Sequence, residues 1–141
     1  MTVESSATFD VPAAVLYHTL LNKEDLMRMT RSPASISPTI DSDWSLFAGS
    51  VTGKIKALDE NKQIVQSWRF SNWSENIYSE AVISFDSISP SATKVKVIQT
   101  GIPSHDKYGN AEQVRLCLQG WEDKYWTGIE KMLGYPRNRD V

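Results

Sequence analysis

The sequence is poor in the residues that build disulfides and metal sites. Of its 141 residues one is cysteine, Cys117, and two are histidine, His18 and His105. A lone cysteine cannot form an intramolecular disulfide, and neither histidine has a second histidine or a cysteine at the spacing of a zinc ligand set. We therefore expect no disulfide, no metal and no cofactor in this protein.

Long hydrophobic runs and an excess of one charge are also missing. No apolar stretch approaches the roughly 18 residues that a membrane-spanning helix needs, and the polar residues 1–10 are not typical of a signal peptide. The formal net charge of −2 favours neither nucleic acid nor a membrane surface as a partner. With 40% hydrophobic and 23% charged residues, the composition is typical of an ordinary globular protein, and we expect a cytoplasmic one.

Motifs for phosphate binding and for nucleophilic catalysis are absent. The sequence contains no phosphate-binding loop and no GxGxxG or GxSxG pattern. Its acidic pairs, such as Glu122 and Asp123, are adjacent residues, which point in different directions from a strand or a helix. Cys117 lies next to apolar positions without a neighbouring base, as a buried structural thiol does. We expect no catalytic residue and predict that the protein is not an enzyme.

A long helical pattern dominates the C-terminal part of the chain. Between residues 108 and 135, large apolar side chains recur at spacings of three and four, which predicts one amphipathic helix. Gly134 and Pro136 are typical of a helix end. The predicted apolar stripe consists of Val114, Leu118, Trp121, Tyr125, Ile129 and Met132. A stripe of this length requires a broad apolar partner elsewhere in the chain.

Four segments in the middle of the chain alternate apolar and polar residues with a period of two. They cover residues 51–57, 64–70, 79–85 and 95–99, and the short loops between them predict an antiparallel meander. One face of this sheet is apolar and aromatic, as the C-terminal helix requires.

The N-terminal part of the chain predicts smaller elements. Residues 3–9 favour a first strand, and residues 12–21 and 22–31 favour two short helices, the second capped by Asn22. Residues 32–43 form a connection, with a short strand expected near Ile40. Together the patterns predict an α+β fold in a single domain, residues 1–141. Its antiparallel sheet curves around the long C-terminal helix, and the two short helices lie near the N-terminus.

The aromatic residues of the sheet and of the helix face each other in this arrangement. The expected lining of the space between them comprises Trp68, Phe70, Ile83, Phe85 and Val97 from the sheet, with Leu118, Trp121 and Tyr125 from the helix. One interpretation is a plain packed core. The alternative is an apolar cavity that holds a small hydrophobic ligand.

The opposite face of the sheet carries mainly basic side chains. They are Lys54, Lys56, Arg69, Lys94 and Lys96. A basic face suits an acidic patch on another protein, and an exposed tryptophan in a turn, such as Trp73, is a good anchor for a partner. We predict that Lys54, Lys56, Arg69 and Trp73 bind a protein partner. The alternatives are a face that is merely solvated and a tryptophan that packs at the rim of the core.

Several short motifs, taken in order, resemble those of one protein family. The chain contains a Gly-x-Val-x-Gly segment at residues 49–53, Trp68-Arg69-Phe70 followed by Trp73, Gly101-Ile102-Pro103, Gln119-Gly120-Trp121, Gly128-Ile129 and Gly134-Tyr135. Over residues 3–135 this succession resembles the C-terminal domain of the activators of heat-shock protein 90 ATPase. The resemblance implies the helix-grip, or START-like, fold, which agrees with the periodicity.

The resemblance implies a co-chaperone. Such activators bind dimeric heat-shock protein 90 and favour its closed, ATP-hydrolysing arrangement, which shifts the population towards the state that they bind more tightly. In two-domain members the N-terminal domain holds the middle segment of the chaperone, and we expect no counterpart of that domain in this sequence. We expect a module that binds heat-shock protein 90 and stimulates its ATPase. The alternative is a carrier or sensor of a small hydrophobic ligand, as in the wider START-like superfamily.

Overall fold

A six-stranded antiparallel sheet forms the centre of the computed structural model, which describes residues 1–140. The strands are β1 (Val3–Phe9), β2 (Asp43–Leu46), β3 (Val51–Asp59), β4 (Gln63–Phe70), β5 (Ser79–Ser89) and β6 (Ala92–Thr100). Their order across the sheet is β1-β6-β5-β4-β3-β2. The predicted first strand and the four-strand meander are therefore confirmed, with β1 at one edge of the sheet and β2 at the other.

The short strand expected near Ile40 lies further along the chain. Ile40 is 53% exposed and lies in a turn, whereas β2 begins at Asp43 and places Trp44 opposite Gly53 of β3. Only glycine fits at this position of β3, because an added Cβ would lie 1.8 Å from the carbonyl oxygen of Ser67. The indole N–H of Trp44 donates to the same carbonyl oxygen at 3.2 Å. The close packing of Trp44 on Gly53 therefore favours the observed register of β2 on β3.

Two short helices follow β1, as predicted. They are α1 (Ala13–Thr19) and α2 (Lys23–Thr30). Pro12 precedes α1, and the side chain of Asn22 accepts a hydrogen bond from the backbone N–H of Asp25 at 3.0 Å, which is the predicted cap of α2. Neither these helices nor any other helix within residues 1–140 is long and apolar enough to cross a membrane.

The C-terminal helix lies against the sheet and has three parts. They are α3 (Gln113–Gly120), a π-helical turn (Trp121–Trp126) and α4 (Thr127–Lys131). The helix begins later than predicted, because the carboxylate of Asp106 accepts hydrogen bonds from the backbone N–H groups of Tyr108 and Asn110, each at 2.9 Å, and holds this segment as a loop. A sheet that packs on a long C-terminal helix, with two short helices after β1, is the predicted helix-grip fold.

The buried face of the C-terminal helix differs from the predicted stripe. Its buried residues are Gln113, Cys117, Trp121, Tyr125, Trp126, Gly128 and Ile129. A spacing of four drifts around an α-helix by about 40° per step. The π-helical turn has more residues per turn and offsets this drift, so Trp121 and Tyr125 both face the sheet. Leu118, one position beyond Cys117, is 37% exposed and Met132 is 43% exposed. The expectation that these two residues line the core was wrong.

Candidate functional site

The buried cysteine and the buried tyrosine of the C-terminal helix do not titrate near neutral pH. Burial raises the pKa of the Cys117 thiol to about 12, so the thiol is protonated and is a poor nucleophile. Burial also raises the pKa of Tyr125, and a hydrogen bond to Gln66 lowers it in part. Among residues 1–140, no three His, Cys, Asp or Glu side chains cluster in a way that could hold a metal ion. Neither Cys117 nor Tyr125 is therefore ionised at neutral pH.

A chain of hydrogen bonds crosses the core between the helix and the sheet. The indole N–H of Trp121 donates to Oε1 of Gln99, and Nε2 of Gln99 donates to Oγ of Ser79, each at 2.8 Å. The hydroxyl of Ser79 then donates to the carbonyl oxygen of Trp68 at 2.8 Å. Each of these buried donors has an acceptor, so this series of hydrogen bonds fixes the position of the helix on the sheet.

Side chains fill most of the space between the sheet and the helix. Trp68, Ile83, Phe85, Val97, Trp121 and Tyr125 are buried as expected, and Phe70 is half-buried. Phe85 packs edge-on against Tyr17 of α1 at 5.8 Å between ring centroids. The remaining cavity has a volume of about 40 Å³, with Trp68 and Trp121 in its wall. The space between the sheet and the helix is thus a packed core that leaves a small cavity.

A surface groove adjoins this cavity. Its volume is about 400 Å³, and Phe47, Phe70, Gly120 and Lys124 line both the groove and the cavity. Phe47 belongs to a short 3-10 turn (Phe47–Gly49) after β2, so the groove lies between this turn, the end of β4 and the C-terminal helix. No local sequence pattern predicts this groove, because its walls come from three separate parts of the chain.

Gly120 leaves one wall of the groove without a side chain. Its φ of −62° and ψ of −44° are helical, and an added Cβ would meet no atom within 4 Å. We expect Gly120→Ala to raise the free energy of unfolding by about 0.5–1 kcal/mol, because alanine has the higher helix propensity and the less flexible unfolded chain. Urea denaturation followed by circular dichroism measures this change.

The same substitution at Gly53 is the matched control. There the added Cβ meets a backbone carbonyl, so Gly53→Ala is expected to lower the free energy of unfolding. A loss of stability in Gly120→Ala as well would show that Gly120 has a packing role that the structure does not reveal.

The predicted partner surface is only half exposed. Lys54 and Lys56 lie on the outer face of β3 and are exposed. Lys54 forms an ion pair with Asp43 at 2.8 Å, and this hydrogen bond and charge raise the pKa of Lys54, with a smaller contribution from Tyr78. The exposure expected for Arg69 and Trp73 was wrong, since their exposed fractions are 8% and 0%.

Arg69 is buried because the loop after β4 folds back over it. Its guanidinium donates to the carbonyl oxygens of Trp73 at 2.7 Å, Ser74 at 3.1 Å and Ser71 at 3.4 Å. The ring of Tyr78 lies 5.5 Å from the guanidinium carbon and covers it from outside. Arg69 therefore holds the loop in shape.

Trp73 joins the same loop to the C-terminal helix. Its indole N–H donates to Oε1 of Gln113 at 2.8 Å. Its ring centroid lies 5.7 Å from that of Trp68 and 5.9 Å from that of Phe70. A turn after a strand suggested an exposed side chain, but this turn bends towards the end of the sheet and buries the indole.

Two loops at this end of the sheet are bonded to each other, and we call them the paired loops (residues 71–78 and 101–112). Asn72 donates to the carboxylate of Asp106 at 2.8 Å, and the backbone N–H of Lys107 donates to the carbonyl oxygen of Asn72 at 3.0 Å. The paired loops expose Ile77, Tyr78 and Tyr108, with exposed fractions of 40%, 50% and 78%. None of these three residues was predicted to bind a partner, although tyrosines in polar loops are a visible signal in the sequence.

Comparison with known proteins shows similarity over most of the chain. The family described as "Activator of Hsp90 ATPase homolog 1-like protein" matches residues 10–134. The structure resembles the crystal structure of an HSP90 activator from Plasmodium falciparum with a TM-score of 0.95 and 31% sequence identity. That match covers 98% of this chain and 99% of the other.

Curated relatives match the chain over only part of their own length. An uncharacterised protein of Schizosaccharomyces pombe is 35% identical over 133 residues, which cover 94% of this chain and 37% of that protein. The activator of 90 kDa heat shock protein ATPase homolog of Dictyostelium discoideum is 30% identical over 119 residues, which cover 84% of this chain and 29% of that protein. The chain thus spans about a third of the length of these relatives.

Proposed function

We propose that this chain, which belongs to the family of activator of Hsp90 ATPase homolog 1-like proteins, binds heat-shock protein 90 and stimulates its ATPase. The observation that carries the proposal is the similarity, over nearly the full length of both chains, to an HSP90 activator from Plasmodium falciparum. We also propose a cytoplasmic location, where a lone buried cysteine stays reduced.

The proposed stimulation needs no reactive group on this chain. A protein that binds the ATP-hydrolysing state of the chaperone more tightly than the other states increases the population of that state. The ratio of the two populations can change by no more than the ratio of the protein's affinities for the two states. We therefore propose that this protein acts through its surfaces and is not itself an enzyme.

We propose that Lys54 and Lys56, together with the exposed side chains of the paired loops, form the contact surface. Tyr78 supports this grouping, because its half-exposed ring covers Arg69 of β4, the strand that pairs with β3. Exposed tyrosines beside lysines suit a partner surface that is acidic and partly apolar. Arg69 and Trp73 then contribute from inside, by holding the loop that presents Tyr78.

Charge reversal at β3 tests this surface. The double variant Lys54→Glu/Lys56→Glu is expected to weaken binding to heat-shock protein 90 by about tenfold, because the proposed partner surface is acidic. Calorimetric titration measures the affinity, and an ATPase assay of the chaperone measures the stimulation. Lys54→Glu breaks the ion pair with Asp43 and places two acidic side chains together, but this pair is exposed and only a small loss of stability is expected. Thermal unfolding of the double variant checks that it is folded.

The double variant Lys23→Glu/Lys131→Glu is the control for net charge. It makes the same charge change at exposed positions of α2 and α4 and is expected to bind normally. Equal binding by both double variants would reject the β3 surface. If the unmodified protein neither binds the chaperone nor changes its ATPase rate, the proposed function itself is rejected.

A carrier of a small hydrophobic ligand enclosed between sheet and helix is the second candidate, and the interior does not favour it. Small-molecule sites have volumes of roughly 300–1,000 Å³. The cavity between the sheet and the helix has about 40 Å³, which is too small to enclose such a ligand.

A further inference from the structure

A small cleft at the free edge of β1 is basic and polar, and we call it the edge cleft. It lies between β1, the start of β6 and the segment that follows the C-terminal helix, and its volume is about 210 Å³. Three cationic residues line it, Lys94, Arg137 and Arg139, and none of its lining residues is acidic. A cleft of this composition favours a negatively charged ligand.

Two of the three positive charges in the edge cleft are not neutralised by the chain. Arg139 forms a bidentate ion pair with Glu130, with both distances 2.7 Å, which fixes its guanidinium in place. Lys94 and Arg137 form no ion pair within residues 1–140. The carboxylate of Asp86 stands opposite Lys94 on β5 but does not line the cleft.

The hydroxyl of Thr8 is a buried donor without a partner, and Thr8 lines this cleft. Thr8 is 2% exposed, yet its hydroxyl makes no hydrogen bond within residues 1–140. The other buried serine and threonine hydroxyls each make one; they belong to Ser5, Thr19, Thr30, Ser79 and Thr93. In this part of the chain Nε1 of Trp68 is the one unpartnered side-chain nitrogen or oxygen that is sealed from solvent. The Thr8 hydroxyl can therefore be reached from the cleft, and an acceptor there would satisfy it.

The backbone N–H of Thr8 adds a second donor at the same place. The carbonyl oxygen of Thr8 accepts from the backbone N–H of Asn138 at 2.8 Å, so it points away from β6 towards the segment after the helix. In an antiparallel strand the N–H and the C=O of one residue point to the same side. The N–H of Thr8 therefore also points to this edge, where no backbone acceptor within residues 1–140 binds it.

We infer that the edge cleft binds a diphosphate group, as free pyrophosphate or as the diphosphate of a nucleotide. Phosphate oxygens accept hydrogen bonds from several directions, which suits a hydroxyl, a backbone N–H and the cationic groups of Lys94 and Arg137 around one space. Two positive charges without a partner favour two linked phosphates over one. The cleft is smaller than the roughly 300 Å³ of a drug-sized site, and no aromatic residue lines it, so it does not recognise a base.

The edge cleft shares no residue with the proposed contact surface for heat-shock protein 90. Its test needs no chaperone, so the inference and the proposed function can fail separately.

The test is a calorimetric titration of the full chain with pyrophosphate, without divalent cations and in about 0.1 M sodium chloride, where remote charges are screened. We expect one site with a Kd of about 0.5 mM. Inorganic phosphate is expected to bind at least about tenfold more weakly, because it has one phosphate group. ADP is expected to bind within about threefold of pyrophosphate, because the cleft has no partner for its base.

Charge removal at Lys94 locates the site. Lys94→Gln keeps most of the side-chain length and is expected to weaken the binding of pyrophosphate about tenfold. Lys56→Gln removes the same charge from an exposed position of β3 that is outside the cleft. We expect it to change the affinity less than about twofold.

Thr8→Val tests the hydroxyl, because valine has nearly the same shape without the donor. We expect this variant to bind pyrophosphate at least about threefold more weakly. The hydroxyl has no partner in the described chain, so Thr8→Val should unfold at the temperature of the unmodified protein or above it. A lower unfolding temperature with unchanged affinity would give the hydroxyl a structural role and overturn its part in binding.

Four further results would overturn the inference. One is the absence of saturable binding up to about 10 mM pyrophosphate, well above the expected Kd. Another is equal binding of phosphate and pyrophosphate, which would show that a second phosphate group is not recognised. The third is an equal loss of affinity in Lys94→Gln and Lys56→Gln. The fourth is binding of ADP more than about tenfold tighter than that of pyrophosphate, which would show that the base is recognised.

Discussion

Trp121→Ala is expected to lower the free energy of unfolding by about 3–5 kcal/mol, the usual range for removing a large aromatic side chain from a core. Trp121 is 2% exposed, and its ring centroid lies 4.4 Å from that of Tyr125 and 6.0 Å from that of Trp126. The substitution leaves a cavity against the sheet and removes the donor that Gln99 accepts from. Urea denaturation followed by circular dichroism measures the change.

Two further variants separate the causes of this loss. Trp121→Phe keeps much of the apolar contact but removes the donor, and it is expected to cost about 1–2 kcal/mol. Leu118→Ala changes an exposed residue of the same helix and is expected to cost less than about 1 kcal/mol. A loss well below 1 kcal/mol for Trp121→Ala would show that this residue is not part of the core. A large loss of unfolding free energy in Leu118→Ala would instead show that Leu118 lies in the core, as the sequence pattern predicted.

Arg69→Ala is expected to lower the free energy of unfolding by about 3 kcal/mol, because three carbonyl oxygens lose their charged donor and two of these bonds are 3.1 Å or shorter. The loop after β4 then loses the contacts that hold it over the sheet. Chemical denaturation measures the loss, and hydrogen exchange of the backbone amides in residues 71–78 shows whether the loop opens.

Arg69→Lys and Lys56→Ala are the controls for this prediction. Lysine keeps the positive charge but cannot reproduce the planar fork of the guanidinium, so an intermediate loss is expected. Lys56 is exposed on the neighbouring strand, and its removal is expected to change stability by less than about 0.5 kcal/mol. If Arg69→Ala is as stable as the unmodified protein but binds heat-shock protein 90 more weakly, Arg69 is a contact residue after all.

The fold could be predicted because local sequence patterns show which side of each strand and helix faces the core. Alternation along the strands identified Ile83 and Val97 as inward positions and Lys54 as an outward one, and pairing of neighbouring strands gave the meander. The helix spacing placed Trp121 and Tyr125 on the sheet side, where both are buried.

Leu118 was misplaced because the winding of the helix is set by its packing against the sheet. Apolar residues spaced three and four positions apart share one face only in a regular α-helix. The π-helical turn changes the angle between successive residues from Trp121 onwards. The four-residue spacing from Gln113 through Trp121 was a visible signal for the true face. Gln113 is polar and was not expected in the core, and Cys117 was expected to be buried beside the apolar stripe, not at its centre.

Trp73 and Arg69 were wrongly expected to be exposed because their burial depends on how the loop after β4 folds. Trp73 bonds to Gln113, 40 residues further along the chain. Arg69 bonds to backbone carbonyl oxygens of a loop whose path the sequence does not show. The groove was missed for the same reason, since Phe47, Phe70 and Gly120 meet only in the folded chain.

The burial of every indole in this chain decides what intrinsic fluorescence can report. The chain has five tryptophans, and Trp44, Trp68, Trp73, Trp121 and Trp126 are each no more than 6% exposed. Their emission should lie at short wavelength in the native state and move to longer wavelength on unfolding. A partner that docks on the exterior should leave this emission almost unchanged, so an optical binding assay for this protein requires an added dye.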